Sequence, residues 1–579
     1  MVNIKINGVP CSAPEGSTIL EAARLAGIKI PTLCFLKDIN EIGACRICVV
    51  EVKGARSLVA ACVYPINEGM EVFTNTPKVI ESRRTTLELI LSNHKRECLS
   101  CVRSGNCELQ ALCNEYGVDE DYYEGENPAI EIDDSAVHMT RDNSKCILCR
   151  RCVAACEKLQ GIGVIGPNER GFAVQIASPF DMSLAETACV SCGQCITACP
   201  TGALTEKDDT AKILEAIADP DKMVVVQAAP AVRASLGEAF GYPVGTNVEG
   251  KMIAAMRRLG FDKVFDTNFS ADLTIMEESA EFIDRVQNNG VLPMITSCSP
   301  GWIRYCENYF PEFIPNLSSC KSPQQMFGAV VKTYYAQKIG KNPEDIVSVS
   351  VMPCTAKKFE KIRKDQSAAG IFDVDITITT RELAKLIEKE GIMFRDLPDE
   401  QPDSPLGAST GAGVIFGATG GVMEAALRTA VWKLTGENND APIEFKEVRG
   451  VEGIKEAQYT VGDKTVKVAV ASGLANAKAL LKKIKAGEAS YDFIEIMACP
   501  GGCVNGGGQI IQPASVRNFM DIREERAKVL YGIDEANPLR RSHENPDIQA
   551  LYKEFFGEPN SHKAHEILHT SYKAQDLYR

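Results

Sequence analysis

Cys146, Cys149, Cys152 and Cys156 are followed by Cys189, Cys192, Cys195 and Cys199, so that one C-x2-C-x2-C-x3-C run is written twice, the second closed by Pro200. This spacing holds paired iron–sulfur clusters, the fourth thiolate of each run ligating the cluster of the other. Cys146, Cys149, Cys152 and Cys199 are therefore assigned to one 4Fe–4S cluster, and Cys156, Cys189, Cys192 and Cys195 to a second. Two further blocks precede them. Cys34, Cys45, Cys48 and Cys62 combine a lone thiolate, a loop, a C-x2-C pair and a distant fourth sulfur, which suits a 2Fe–2S cluster better than zinc with its two paired arms. The stretch HKRECLSCVRSGNC supplies His94, Cys98, Cys101 and Cys107, a donor set open to zinc or iron–sulfur. Its place between cluster modules favours a 4Fe–4S cluster, giving one 2Fe–2S and three accessory 4Fe–4S clusters in all. Cys113 is read as structural.

The cysteines also bound the class of protein. Of 23, 17 lie before residue 200, in a chain of 579 residues whose start, MVNIKINGV, lacks a charged segment followed by a long apolar one. A disulfide framework is then a poor explanation, and a cytoplasmic home is expected. No apolar run of about 18 residues occurs, so no membrane span is expected. A formal charge of -14 argues against nucleic acid as a partner.

The elements that must position these residues are partly legible. Val2, Ile4 and Ile6 alternate as a strand that turns at Asn7-Gly8, and Thr18 with Glu21 makes a capping box before a helix closed by Gly27. A hairpin, a helix and a cysteine loop suggest a small ferredoxin-like module at residues 1–78. The His-Cys block follows at 79–118 and the two-run module at 137–209. From 210 to 579 short apolar runs alternate with helical segments, as in an α/β domain. Three of those runs end in cysteine: VLPMIT before Ser297-Cys298, VSVSVMP before Cys354, and DFIEIMA before Cys499, with Cys503 just beyond in CPGGCVNGGG. Ligands of open α/β sheets sit outside the carboxyl ends of strands, so three such loops predict one metal site. The glycines after Cys503 suit close backbone approach to a bulky cofactor. GASTGAGVIFGATGG lacks a preceding strand and a downstream acidic partner, and is not read as a dinucleotide loop.

The loops ITSCSPGW, VMPCTAKKFE and EIMACPGGCVNGGGQ resemble the three signature loops of the iron-only (FeFe) hydrogenases, and the N-terminal blocks resemble the accessory modules of their large multi-cluster members. APAVRAS, FSADLTIMEE, SSCKSPQQMFG, GATGGVMEAALR and RSHEN are similar to that family as well, so the resemblance covers essentially the whole chain. It implies a multidomain α/β and α+β fold: a 2Fe–2S β-grasp domain, a His/Cys module, a two-cluster ferredoxin module and an α/β catalytic domain with a small-subunit-like tail. It implies reversible interconversion of hydrogen with protons and electrons at an H-cluster, a 4Fe–4S cubane joined to a two-iron unit carrying CO, cyanide and a dithiolate amine. Carried over by motif, Cys354, Cys499 and Cys503 ligate the cubane, Cys503 bridging to the two irons. Lys357 donates to a cyanide. Pro230, Ala231, Gln324 and Met352 line the cavity, and Phe416 and Met497 pack against the two irons. Cys298, Glu278, Ser318 and Glu281 form a proton chain.

One departure stands out. The family loop carries two adjacent cysteines, a proton relay and then a cubane ligand, and here Ser299 occupies the second position. Either Cys298 ligates and Ser299 relays, or Ser299 ligates through oxygen, or the cubane is labile. The resemblance further implies ferredoxin as an electron partner, or partner subunits carrying flavin and NAD(P). The alternative function is an electron-transfer or hydrogen-sensing protein with little turnover. Apart from the resemblance, Glu277, Glu278 and Glu281 read as a solvated helix face. His562, His565 and His569 read as part of a surface tail, since no acid or thiol accompanies them in sequence. Cys306 and Cys320 read as buried small residues.

Overall fold

The computed structural model describes residues 1–118, 122–126, 131–436, 446–450, 453–461 and 464–577. At the front, strands Val2–Ile6 and Val9–Ala13 pair antiparallel around Asn7 (φ 52°) and Gly8 (φ 82°), two left-handed residues that match the twist of a two-residue hairpin. Thr18 and Glu21 do form the capping box of helix Ile19–Leu25. Ile4, Ile6, Ala22, Val50 and Val72 close a core beneath a five-stranded sheet. Helix Pro77–Leu91 is tied back to this domain by buried Arg83, whose guanidinium donates to the Val49 carbonyl at 2.7 Å.

The two-run module is closed by the antiparallel strands Met139–Arg141 and Leu204–Glu206. Buried Arg151 sits at its junction with the front end, donating to the Cys34 and Phe35 carbonyls and to both carboxylate oxygens of Glu108. Asn40 bridges the Cys34 and Cys149 carbonyls at 2.9 and 3.0 Å. Three cysteine-bearing segments thus meet on two polar side chains whose donors are used on backbone or a carboxylate.

The region from residue 210 onward holds two four-stranded sheets. In the first, Met223–Ala228 lies between the parallel strands Lys263–Asp266 and Ile346–Met352, and the latter pairs with Ile376–Thr379. In the second, Phe493–Met497 runs parallel to both Met294–Ile295 and Lys464–Ser472, with Ile454–Val461 at the edge. Runs such as MVVVQA and FIEIM are buried almost throughout, as expected for parallel strands covered on both faces. Helix Thr267–Gln287 is buried over most of its length. Residues Pro546–Leu551 pack on it, residues His562–Leu568 pack on the neighbouring helix Pro323–Val330, and the chain then forms an antiparallel bridge between His569 and Cys320.

The solvated reading of Glu277, Glu278 and Glu281 is overturned: they are 0%, 0% and 9% exposed. The helix that carries them has no free face, because the C-terminal segments cover the side that a sequence window leaves to water. The tail reading needs the same correction. His562 and His565 are exposed, whereas His569 is buried.

Candidate metal centre and its approaches

The three cysteine-bearing strands end on one side of the domain, and their loops enclose a cavity of about 80 Å³. Cys298, Ser299, Cys354, Cys499 and Cys503 all line it, with Lys357, Pro230, Gln324, Met352, Phe416 and Met497. Its surface is otherwise apolar, and burial pushes the Cys298, Cys354, Cys499 and Cys503 thiols up. Soft sulfur donors converging in a dry cavity fit an iron–sulfur group, which binds thiolates and tolerates burial once metal replaces the proton. Ala231 is not on the lining. It lies behind, packed with Val504 and Leu530, and its carbonyl accepts from the Gln509 side chain at 2.8 Å.

Lys357 is anchored from its own helix turn. Its ammonium donates to Glu360 at 2.9 Å, Ser322 at 2.7 Å and the Cys298 carbonyl at 3.2 Å. All three of its donors are thus directed, and Gln324 joins the network by donating to Glu360 at 3.0 Å. Glu360 was not singled out in the sequence, although a K-x-x-E pair at helical spacing was there to be read.

The adjacent residues Cys298 and Ser299 face different neighbours. Cys298 packs with Phe416, Met497 and Ala271, and the carboxyl of Glu278 adds to burial in holding its thiol protonated. The Ser299 hydroxyl accepts from the Ala498 amide at 3.3 Å, beside Cys499. Glu278 is fully buried, and neither of its oxygens makes a hydrogen bond among the described residues. Burial lifts its pKa to about 8, with the Ser318 hydroxyl and the Ser297 amide facing it and partly offsetting the rise. Ser318 in turn donates to Glu281 at 3.2 Å, and Glu281 also accepts from Arg285 at 2.6 Å. A second buried carboxyl, Glu495, sits at the start of helix Gly421–Thr435 and accepts from the Gly420 and Met423 amides, both at 2.7 Å. Burial lifts it to about 7.

The glycines after Cys503 also meet neighbouring backbone, Gly506 while lining the cavity. A Cβ on Gly506 would stand 2.0 Å from the Pro353 carbonyl oxygen, and one on Gly507 would stand 2.2 Å from that of Cys192. Their smallness lets this loop lie directly on the Cys354 loop and on the two-run module. Gly507→Ala is therefore expected to cost about 1–3 kcal/mol and to slow electron delivery between module and cavity. Thermal unfolding and the reoxidation rate of the accessory clusters check this, and wild-type values for both would refute it.

The contact between module and cavity is dense. Cys192 itself lines the cavity. Thr355 donates to the Ser191 carbonyl at 2.7 Å, Gln194 to the Asn505 carbonyl at 2.9 Å, and Arg304 to the Ser191 hydroxyl at 3.0 Å. Within the module, Cys146, Cys149, Cys152 and Cys199 surround one small cavity, and Cys156, Cys189, Cys192 and Cys195 another. His138, absent from the sequence reading, is buried against the second group with Nε2 3.9 Å from the Cys189 sulfur. In the front domain Cys34 and Cys45 exchange amide-to-sulfur contacts at 3.4 and 3.5 Å, and the Cys48 and Cys62 sulfurs lie 3.3 Å apart. Sharing hydrogen bonds with Cys34 lowers the Cys45 thiol pKa. His94 is buried and its Nδ1 has no partner among the described residues; burial and nearby Lys145 lower its pKa to about 4, leaving a neutral imidazole. An orphaned ring nitrogen of this kind suits a metal ligand. The segment bearing Cys101 reaches the same module, a Cβ on Gly202 falling 2.8 Å from the Cys101 sulfur.

Residues 222–507 match the family described as iron only hydrogenase large subunit, C-terminal domain, and residues 520–575 match iron hydrogenase small subunit. Ahead of them lie a 2Fe-2S iron-sulfur cluster binding domain (1–77), the NADH-ubiquinone oxidoreductase-G iron-sulfur binding region (83–121) and a 4Fe-4S dicluster domain (145–203). The chain is 51% identical to the NADP-reducing hydrogenase subunit HndD of Solidesulfovibrio fructosivorans, over 99% of both chains. It is 45% identical to iron hydrogenase 1 of Clostridium pasteurianum, over 99% of this chain and all of that one. Among solved structures, the apo FeFe-hydrogenase HydA1 of Chlamydomonas reinhardtii superposes with a TM-score of 0.57 at 44% identity, covering 64% of this chain and all of that one.

Proposed function

This chain belongs to the iron-only hydrogenases, and from that membership we propose how its own residues divide the work of converting hydrogen to protons and electrons. It is an oxidoreductase acting on H2, with iron–sulfur modules that relay electrons. The observation that carries the proposal is the convergence of Cys298, Ser299, Cys354, Cys499 and Cys503 on one apolar cavity that also touches Cys192. Cys354, Cys499 and Cys503 would hold the cubane of an H-cluster, and Lys357 faces the same cavity. When bound, that group supplies the centre at which H2 and two protons with two electrons are interconverted.

The rest falls to side chains. The Cys298 thiol lies in the field of the buried acid Glu278, and a thiol left free of metal relays a proton. Ser299, held beside Cys499, takes the fourth cubane position. Glu278 accepts the proton from Cys298 and passes it through Ser318 to Glu281, whose 9% exposure brings it close to the surface. Phe416, Met352 and Met497 keep water from the metal side, so that protons move by this route.

Cys192 with Cys156, Cys189 and Cys195 would hold the cluster next to the catalytic cavity, and Cys146, Cys149, Cys152 and Cys199 the next one, which together would supply the exit for electrons. From there the route would branch, since Arg151 and Asn40 tie the segment bearing Cys149 to the Cys34 loop while Gly202 lies against Cys101. One 2Fe–2S cluster at the first branch and a His94-ligated 4Fe–4S cluster at the second give two exits. Among the described residues no helix is long and apolar enough to cross a membrane. The exits suit ferredoxin, or flavin-bearing partner subunits that reduce NADP; the relative HndD is named as a subunit of an NADP-reducing hydrogenase. The matured chain alone should reduce a viologen dye under hydrogen and leave NADP untouched, gaining NADP reduction only with such subunits. Silence with viologen would refute hydrogen turnover, and NADP reduction by the chain alone would refute the need for partners.

A further inference from the structure

His569 comes from a segment that sequence reading left without acid or thiol company, and the fold supplies both. The bridge between His569 and Cys320 brings that histidine onto helix Thr267–Gln287 beside Glu281. One ligand atom from each of Glu281, Cys320 and His569 lies within 4.8 Å of the other two. The Cys320 sulfur is 3.7 Å from Glu281 Oε2. Two donors on a tetrahedral zinc ion, with bonds of about 2.3 Å to sulfur and about 2.1 Å to oxygen, are separated by roughly 3.5 Å. The carboxylate and sulfur are therefore already close to the separation that such an ion requires.

We propose that Glu281, Cys320 and His569 form a binding site for a zinc-class divalent cation, distinct from the cluster sites. One thiolate, one carboxylate and one neutral imidazole carry two negative charges, which balance the dication in a place with little water. The imidazole is already oriented, since Ser319 Oγ lies 2.8 Å from Nδ1 and Glu277 Oε2 lies 3.1 Å from Nε2. Glu281 is steadied by Arg285 and by the Ser319 amide. Such outer partners fix the geometry of metal ligands. Glu277 stands on the far side of the ring and keeps hold of Nε2, so that Nδ1 turns from Ser319 to the ion and solvent completes the fourth position. Cys320 is inaccessible, but Glu281 and His569 are 9% and 8% exposed, and the exposed His565 ring lies 4.1 Å from that of His569. An ion thus meets His565 and then His569 on its way in. Binding breaks the S–H bond of Cys320, forms a metal–sulfur bond and releases the proton to solvent, with no change of oxidation state.

The consequence for turnover rests on the reading of Glu281 as a proton carrier. A cation on its carboxylate removes the acceptor beyond Ser318 and halts proton exit while the clusters stay intact. Zinc would then act as a reversible inhibitor of hydrogen turnover without touching iron.

The test uses matured, cluster-loaded enzyme freed of loose metal, titrated with zinc chloride beside Cys320→Ala and His569→Gln. Wild type is expected to retain one zinc per chain more than either variant. Both variants should weaken that binding at least tenfold, and zinc-edge absorption should show one sulfur among nitrogen and oxygen neighbours. Cys320→Ala should keep wild-type activity without zinc and resist inhibition by it. Unchanged iron content and cluster absorbance show that the variants are folded. Equal zinc uptake by all three proteins, or a zinc spectrum without sulfur, overturns the site. Zinc held as proposed with turnover unaffected upholds the site and overturns the role of Glu281 in proton exit.

Discussion

Replacing Cys298 by alanine is expected to lower hydrogen-dependent viologen reduction by about 10²–10⁴-fold, the range for loss of a positioned proton carrier, while iron content stays at the wild-type value. The expectation follows from the neighbours of two adjacent side chains. Cys298 packs among Phe416, Met497 and Ala271 beside the buried carboxyl of Glu278, whereas Ser299 points to the amide of Ala498 next to Cys499. If Cys298 were instead the cubane ligand, the alanine variant would lose iron together with activity. The companion Ser299→Cys separates the assignments further. A cysteine there adds a soft thiolate at the cubane position, so turnover should persist while iron-edge X-ray absorption shows one oxygen neighbour exchanged for sulfur. Loss of all turnover in Ser299→Cys with full iron would instead make the serine hydroxyl the relay.

Glu278→Gln should remove a similar share of activity, because an amide cannot pass on a proton, and should leave a distinctive mark on stability. Burial lifts the carboxyl to about 8 from an ordinary 4.5. Between those values the folded chain binds the proton and the unfolded chain has lost it, so wild-type stability falls as pH rises through the window. Below it both states are protonated and the group contributes no slope; above about 8 both are ionised and the penalty is constant. Glutamine carries no such penalty. The variant should therefore gain in relative stability as pH is raised from about 4.5 to about 8 and hold that gain beyond. Chemical denaturation across this range measures it. A difference that does not vary with pH would mean that Glu278 does not hold a proton in the fold, and a fully active variant would take it off the route.

The residues that sequence reading located best are those whose chemistry is local in the chain. Asn7-Gly8 and the Thr18/Glu21 box specify their own backbone, and the cysteine runs gather around two small cavities in the grouping that their spacing suggests. The three strand-end cysteines were legible because a parallel strand buried on both faces is a plain apolar run, and the residues just past its end lie at the sheet edge. The features that escaped were set by distant segments. Glu277 looks solvated until Tyr552, the Asn560 amide and His569 arrive from nearly 300 residues away to satisfy it. Glu360 carries no signal beyond an ordinary helical ion pair until Gln324 and Ser322 gather around it. Ala231 stands one residue past Pro230, yet the turn there sends one side chain to the cavity and the other behind it.

The interleaved pairing of the two cysteine runs has a bearing on how the enzyme responds to scarcity. On the proposed pairing, with Cys199 completing the first cluster and Cys156 the second, each cluster would cross-link the two halves of its module, and neither half could be loaded to completion alone. Cys192 is at once a member of that module and part of the wall of the catalytic cavity, which leans on it through Thr355, Gln194 and the glycines after Cys503. A shortage of iron that empties the module therefore loosens the wall behind Cys499 and Cys503 before any question of electron flow arises. In this chain the nutritional supply of one element governs the wiring and the shape of the catalytic chamber together, so that a poorly supplied enzyme withdraws as a whole rather than idling with a severed lead.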